Sequence, residues 1–186
     1  MLQATPLTRQ ILKCIHLTAV CTWIGSGLAV LVLLGNDRTT SNGDELFAFN
    51  HAIRSIDNWL IKPAAMVSSI SGLFLCGLTS WGFARHRWIV IKGLLTLGAI
   101  LFGALCLGPW LAELSDMTAA NRIAIFDDGE YARTYLIGTI SSIIQTLLLV
   151  SLVLISIVKP SFVQKRSFSR RKTWDSCFAF ISRAKS

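Results

Sequence analysis

The chain has 186 residues, of which 53% are hydrophobic and only 15% charged, with a formal net charge of +8 and a mean hydropathy of +0.57. So little polar sequence cannot coat so many apolar residues, which excludes an ordinary water-soluble domain and points to a membrane protein. No nucleic-acid recognition motif accompanies the positive charge, so the expected partners are the lipid bilayer and its anionic headgroups, and no nucleic acid.

Taken in chain order, four apolar runs are long enough to cross a bilayer at about 20 residues per crossing. They cover residues 11–34, 60–84, 88–111 and 134–158. No charged residue occurs from Pro63 to Ala84, from Gly93 to Ala112 or from Thr134 to Val158. The expected fold is all-α: a polytopic four-transmembrane-helix bundle over residues 1–160, followed by a basic tail over 161–186. Arg9 and Lys13 before the first run resemble the positive region of a secretory signal. That run exceeds 20 residues and lacks a small-residue cleavage site, so it is expected to stay as a helix.

Basic residues set the orientation. With the N-terminus cytoplasmic, thirteen Lys and Arg fall on the cytoplasmic side, among them Arg9, Lys13, Arg85, Arg87, Lys92 and the tail residues. Only Arg38, Arg54, Lys62, Arg122 and Arg133 fall on the other. This asymmetry places both termini in the cytoplasm and the chain, as a multi-pass protein, in the inner membrane of a bacterium.

After the first run, Ser41-Asn42-Gly43 is a turn signal and Asp44 is the expected helix cap. Leu46, Phe47, Phe49, Ile53 and Ile56 then form one broad apolar face. This segment either lies flat at the interface or extends helix two, where Pro63 permits a kink. The short turn from Ala84 to Arg87 should hold helices two and three antiparallel and adjacent. Ser68, Gly72, Cys76 and Ser80 make a stripe of small residues on helix two, matched by Ala99 and Gly103 on helix three and by Gly138 and Ser142 on helix four. Such stripes allow backbones to approach, within one chain or in a homodimer. Trp59 and Trp110 suit one headgroup layer and Trp81 and Trp88 the other, whereas Trp23 falls in the middle of helix one and needs a partner or a wet cavity. Cys14, Cys21, Cys76 and Cys106 fall within helices and Cys177 in the tail, with no CxxC pair to indicate a zinc site or a disulfide framework.

No GxGxxG, Walker, HExxH or GxSxG motif is present. The polar residues that remain form two groups. His16 near the start of helix one and Lys92 near the start of helix three fall at similar depth, with His16, Val20, Trp23 and Gly27 on one face and Trp88, Lys92, Ala99 and Gly103 on a candidate facing surface. A neutral imidazole at His16 can ligate a transition metal or the iron of haem b, and Lys92 or Arg87 can neutralise an acidic group of a cofactor. In the alternative reading Lys92 snorkels and His16 hydrogen-bonds a neighbouring helix. The second group is Arg54, Asp57, Trp59 and Lys62 before Pro63. Arg54 and Asp57, three apart, can pair on one helix face and anchor it at the interface. The same group can instead form the mouth of a site for a small polar or anionic solute, with Gln145 and Trp23 deeper inside.

The order Leu12-Lys13-Cys14-Ile15-His16, Trp23-Ile24-Gly25, Arg54, Asp57, Pro63, Gly72, Trp88 and Lys92 resembles a group of bacterial predicted integral membrane proteins of unassigned activity. The His16 and Trp88-to-Lys92 segments are also distantly similar to the membrane protoporphyrinogen oxidase (HemJ-type) family, a likeness that implies haem binding through His16 and a functional basic role for Lys92. The first helix resembles that of CopD-type copper-resistance proteins. The expected function is accordingly that of a haem-binding or redox-associated membrane protein. The alternative is a small-solute transporter or a nonenzymatic membrane accessory protein.

Overall fold

The computed structural model describes residues 5–78, 87–120, 125 and 128–158, which are helical almost throughout and contain no strand. Helix α1 (Pro6–Asp37) opens with Thr5, whose side chain accepts from the Thr8 amide, and with Pro6 in the first turn, where its missing N–H costs nothing. At 32 residues it is about 48 Å long, so it extends beyond a hydrocarbon core of about 30 Å.

The second long helix is continuous from α2 (Gly43–Ile56) through a wide turn at Asp57–Ile61 into α3 (Lys62–Leu78). The segment after residue 43 therefore extends helix two. Its cap is Asn42, which accepts from the Asp44 amide, so Asp44 takes a place in the first turn beside Glu45, where an acidic group favours the positive end of the helix dipole. The third long helix repeats the construction, with α4 (Arg87–Phe102), a wide turn at Gly103–Leu107 and α5 (Gly108–Ala120). Helix α6 (Gly129–Val158) completes the bundle. Among the described residues, four helices are thus long and apolar enough to cross a membrane.

The lipid-facing surface explains the composition. Leu94 is 69% exposed and Leu105 71%, in company with Leu73, Phe74, Leu97, Leu147 and many others. In water so much bare apolar area would drive association; in lipid it is simply solvated. Hydroxyl groups on these helices spend their hydrogens locally: Ser69, Thr96, Thr118, Ser142 and Ser151 each donate to the carbonyl four residues back, which satisfies them without water.

The end of α1, the start of α2, the end of α5 and the start of α6 share one end of the bundle, termed distal, and the start of α1 and the end of α6 lie at the other. Helix α1 is central, packed along α3 and also against α2 and α6. The expected pairing of the second and third long helices holds in the distal half, where α2 packs along α5, but α3 and α4 barely touch. Residues 79–86, including the short turn, and the basic tail lie outside the described residues. One apolar cluster (Val30, Leu34, Ile53, Leu111, Leu114) closes the distal half. A second (Trp23, Ala64, Ala65, Ala99, Leu149) lies near mid-height. Because the mid-height cluster is built largely of alanines, it leaves room between the helices.

A candidate ligand cavity between paired wide turns

Each wide turn ends two residues before a proline, Ile61 before Pro63 in one helix and Leu107 before Pro109 in the other. Proline offers no N–H to the carbonyl four residues back and its ring crowds that carbonyl, so a regular α-helical turn cannot form there. The chain accommodates this by bonding i to i+5: the Lys62 amide donates to the Asp57 carbonyl and the Gly108 amide to the Gly103 carbonyl. The two distorted turns face each other. A Cβ added to Gly108 would lie 3.1 Å from the Gly103 carbonyl oxygen, a tight approach, and at ordinary contact distance from Asp57 Oδ2 (3.5 Å) and Lys62 Cε (3.8 Å).

Between these turns, α1 and α6 lies a cavity of about 280 Å³. Its walls are apolar, with Trp23, Ala65, Ile100 and Leu149 toward mid-height and Val30, Leu107 and Leu111 toward the distal end. Asp57 and Lys62 stand at the distal end, bonded through Oδ2 and Nζ at 2.8 Å, with Asp57 buried and Lys62 half-exposed. Lys62 Nζ also donates to Asn58 Oδ1 at 2.6 Å. Ser142, Gln145 and Thr146 line the α6 side. Gln145 Nε2 donates to the Ala99 carbonyl at 2.8 Å, one turn before the wide turn of the third helix, and a Cβ on Gly103 would come within 3.3 Å of the same nitrogen. Thr146 Oγ1 lies 3.1 Å from where a Cβ of Gly27 would be, so a glycine on α1 lets α6 close.

Of the residues singled out from sequence, Asp57, Lys62, Gln145 and Trp23 therefore meet around one cavity. Arg54 does not join them: it pairs with Asp116 of α5, not with Asp57, because α2 lies against α5 on that side. The His16 side chain turns to α3, where Nδ1 lies 3.0 Å from the Ser68 carbonyl and 3.0 Å from Ser71 Oγ, and where Gly72 makes room for the ring. A carbonyl only accepts, so Nδ1 carries the hydrogen and Nε2 of the neutral ring keeps its lone pair. Lys92 donates to Ser156 Oγ of α6 at 2.6 Å, within electrostatic range of His16 but bonded to a different helix. Hence the face of α1 carrying His16 and Gly27 meets α3 and α6, while Trp23 clusters with Ala99 of α4. Arg87 begins α4, but its side chain lies outside the described residues. His16 does not line this cavity, nor an open groove between Cys14–Thr22 of α1 and Trp59–Val67 of the second helix, and no group of three metal-ligating side chains occurs among the described residues.

A polar cluster at the distal end escaped the sequence reading. Asp37 is 4% exposed and Asn50 fully buried. Asn50 Nδ2 lies 3.0 Å from both carboxylate oxygens of Asp37 and 3.0 Å from the Leu46 carbonyl, and Tyr131 Oη donates to Asp37 Oδ2 at 2.9 Å. These contacts lock the end of α1 to α2 and α6. A signal was present: a carboxylate on the last residue of a helix opposes the dipole there and calls for donors from elsewhere.

A family model for a predicted integral membrane protein, DUF2269, matches residues 10–160. The chain belongs to the DUF2269 family. The matched region reaches from the first turns of α1 past the end of α6, so the family is defined over the whole bundle and both wide turns. No curated protein and no solved structure matches the chain, and the likenesses to membrane protoporphyrinogen oxidase and CopD-type proteins gain no support from these comparisons.

Proposed function

We propose that this DUF2269 protein binds a small molecule inside the membrane, in the cavity between the paired wide turns, and serves as a carrier or a nonenzymatic accessory protein for it. The observation that carries this reading is the convergence of Asp57, Lys62, Gln145 and Trp23, from three helices, on one mostly apolar cavity. Ionisable residues turned inward from lipid, paired with each other beside a cavity, are the usual mark of a ligand or ion path, and wide turns frequently accompany functional sites because they free backbone groups and break helix rigidity. The apolar walls favour an amphipathic molecule over the small polar or anionic solute expected from sequence. The distribution of basic residues supports a bacterial inner membrane with both termini cytoplasmic.

The test is access to the cavity. In a chain whose five cysteines are replaced by alanine, Ser142→Cys places a thiol on the cavity wall, and Ser115→Cys places one that is equally buried but outside the cavity. N-ethylmaleimide should modify the first in the folded protein and leave the second intact. Equal protection of both would overturn the proposal.

Haem b on His16 is the competing reading. It is favoured by the Nδ1 bond to the Ser68 carbonyl, which holds the ring in the tautomer that a ligating imidazole adopts. The cavity between the wide turns does not support it, since His16 does not line that cavity.

A further inference from the structure

We infer that the ligand of this cavity is a single-chain amphiphile with an anionic headgroup, of the fatty-acid type, entering sideways from the bilayer between α3 and α4. The inference rests on the binding role proposed above and names the chemistry of the occupant. Three observations carry it.

The first is the direction of polarity. On α1 the cavity runs from Trp23 to Val30, seven residues or about 10 Å along the membrane normal. Its charged end, at Asp57 and Lys62, lies toward the distal headgroups, on the same turn as Trp59, which is 80% exposed. Its mid-height end is walled by Trp23, Ala99 and Leu149, with the Gln145 amide nitrogen there already bonded to the Ala99 carbonyl. A lipid chain in the distal leaflet has the same order, polar group outward and hydrocarbon toward the midplane. A polar solute crossing the membrane gains nothing from such a gradient.

The second is the opening. Met66 of α3 lines the cavity and is 63% exposed, and Ile100 and Ala104 of the third long helix line it as well. Since α3 and α4 barely touch, these side chains border a gap facing lipid, and an aliphatic chain passes through it without leaving an apolar environment.

The third is the charge on offer. Asp57 is buried and its Oδ2 is occupied by Lys62, whereas Lys62 is half-exposed. The ammonium group has three N–H donors, of which Asp57 and Asn58 take two. The remaining donor suits a carboxylate, and an anion here gains a charge-assisted bond in a site of low dielectric.

The experiment is native mass spectrometry of the full chain in detergent, with dodecanoate and dodecanol as probes and with the variants Lys62→Gln, Lys62→Arg and Met66→Trp. The wild-type chain should retain one dodecanoate with a preference of about tenfold or more over dodecanol, the scale of one charge-assisted contact. K62Q should lose the preference while still binding the alcohol, K62R should restore it, and M66W should block both probes. Equal retention of the two probes by the wild type, or a preference that survives K62Q, overturns the anionic headgroup while leaving the cavity as a binding site. Retention of neither probe overturns the binding role itself together with this inference, and binding indifferent to M66W overturns entry between α3 and α4.

Discussion

His16 shows how one side chain serves two neighbours at once. Its Nδ1 hydrogen bonds the Ser68 carbonyl, and the carbon between its nitrogens lies against Gly72, so ring and glycine form one contact between α1 and α3. His16→Ala removes that bond and leaves a void in the most extensive helix contact of the bundle. We expect a loss of about 1–3 kcal/mol, read as a lower unfolding midpoint of the detergent-solubilised protein. The absorption spectrum of the same pair of samples separates the competing readings. No Soret band in either is expected here, and a band present in wild type but absent from H16A would assign the imidazole to haem. The positions of Arg54 and Asp57 follow the same logic of neighbours. Three residues apart, they share a helix face, yet the packing of α2 on α5 offers Arg54 a carboxylate at Asp116, and the wide turn gives Asp57 to Lys62.

At the scale of elements, the wide turns are the consequence of two prolines placed alike in adjacent helices. Each turn shifts the helix that follows it out of its expected angular phase, since every residue of an α-helix advances about 100°. Beyond the turns, α3 packs along α1 and α5 along α2. Gly108 is where the two distortions meet. Gly108→Ala would bring a methyl group to 3.1 Å from the Gly103 carbonyl oxygen, a backbone atom with little freedom to retreat. A cost of about 1–3 kcal/mol is expected. Gly98→Ala, where a Cβ meets nothing within 4 Å, should leave stability unchanged or slightly raise it, because alanine has the better helix propensity. Thermal unfolding of the two variants side by side checks the contrast, and equal midpoints would refute the proposed crowding.

At the scale of the whole molecule, the bundle is closed at its distal end and loosely joined at mid-height. The distal half is held by an apolar cluster and by the Asp37–Asn50–Tyr131 cluster, whereas the alanine-rich centre leaves the cavity and the gap between α3 and α4. A rigid end beside a looser middle suits a site that must admit a molecule without unfolding. An even number of crossings also constrains the termini. Single cysteines introduced at residues 3 and 180 of the cysteine-free chain should both react with a membrane-impermeant thiol reagent only after the cytoplasmic face is opened. Reaction of one without the other would contradict four crossings.

The sequence alone determined the membrane environment, the four helices and much of their contact surface. Solvation by lipid demands long uncharged runs, and close backbone approach demands Gly, Ala and Ser, so both are written in local composition: Ser68 and Gly72, Ala99 and Gly103, and Gly138 and Ser142 all lie at helix contacts. Asp57, Lys62, Gln145 and Trp23 were legible as candidates because charge and amide groups are rare and costly in such runs. Only the tertiary structure decided which helix each residue faces. Rotation of a helix about its axis depends on distant side chains and on the prolines' displacement of the turns before them, and neither is a property of any short stretch. For that reason His16 met Ser68 instead of a surface on α4, Arg54 met Asp116, and Asp37, inconspicuous at the end of an apolar run, proved to be a buried link among three helices.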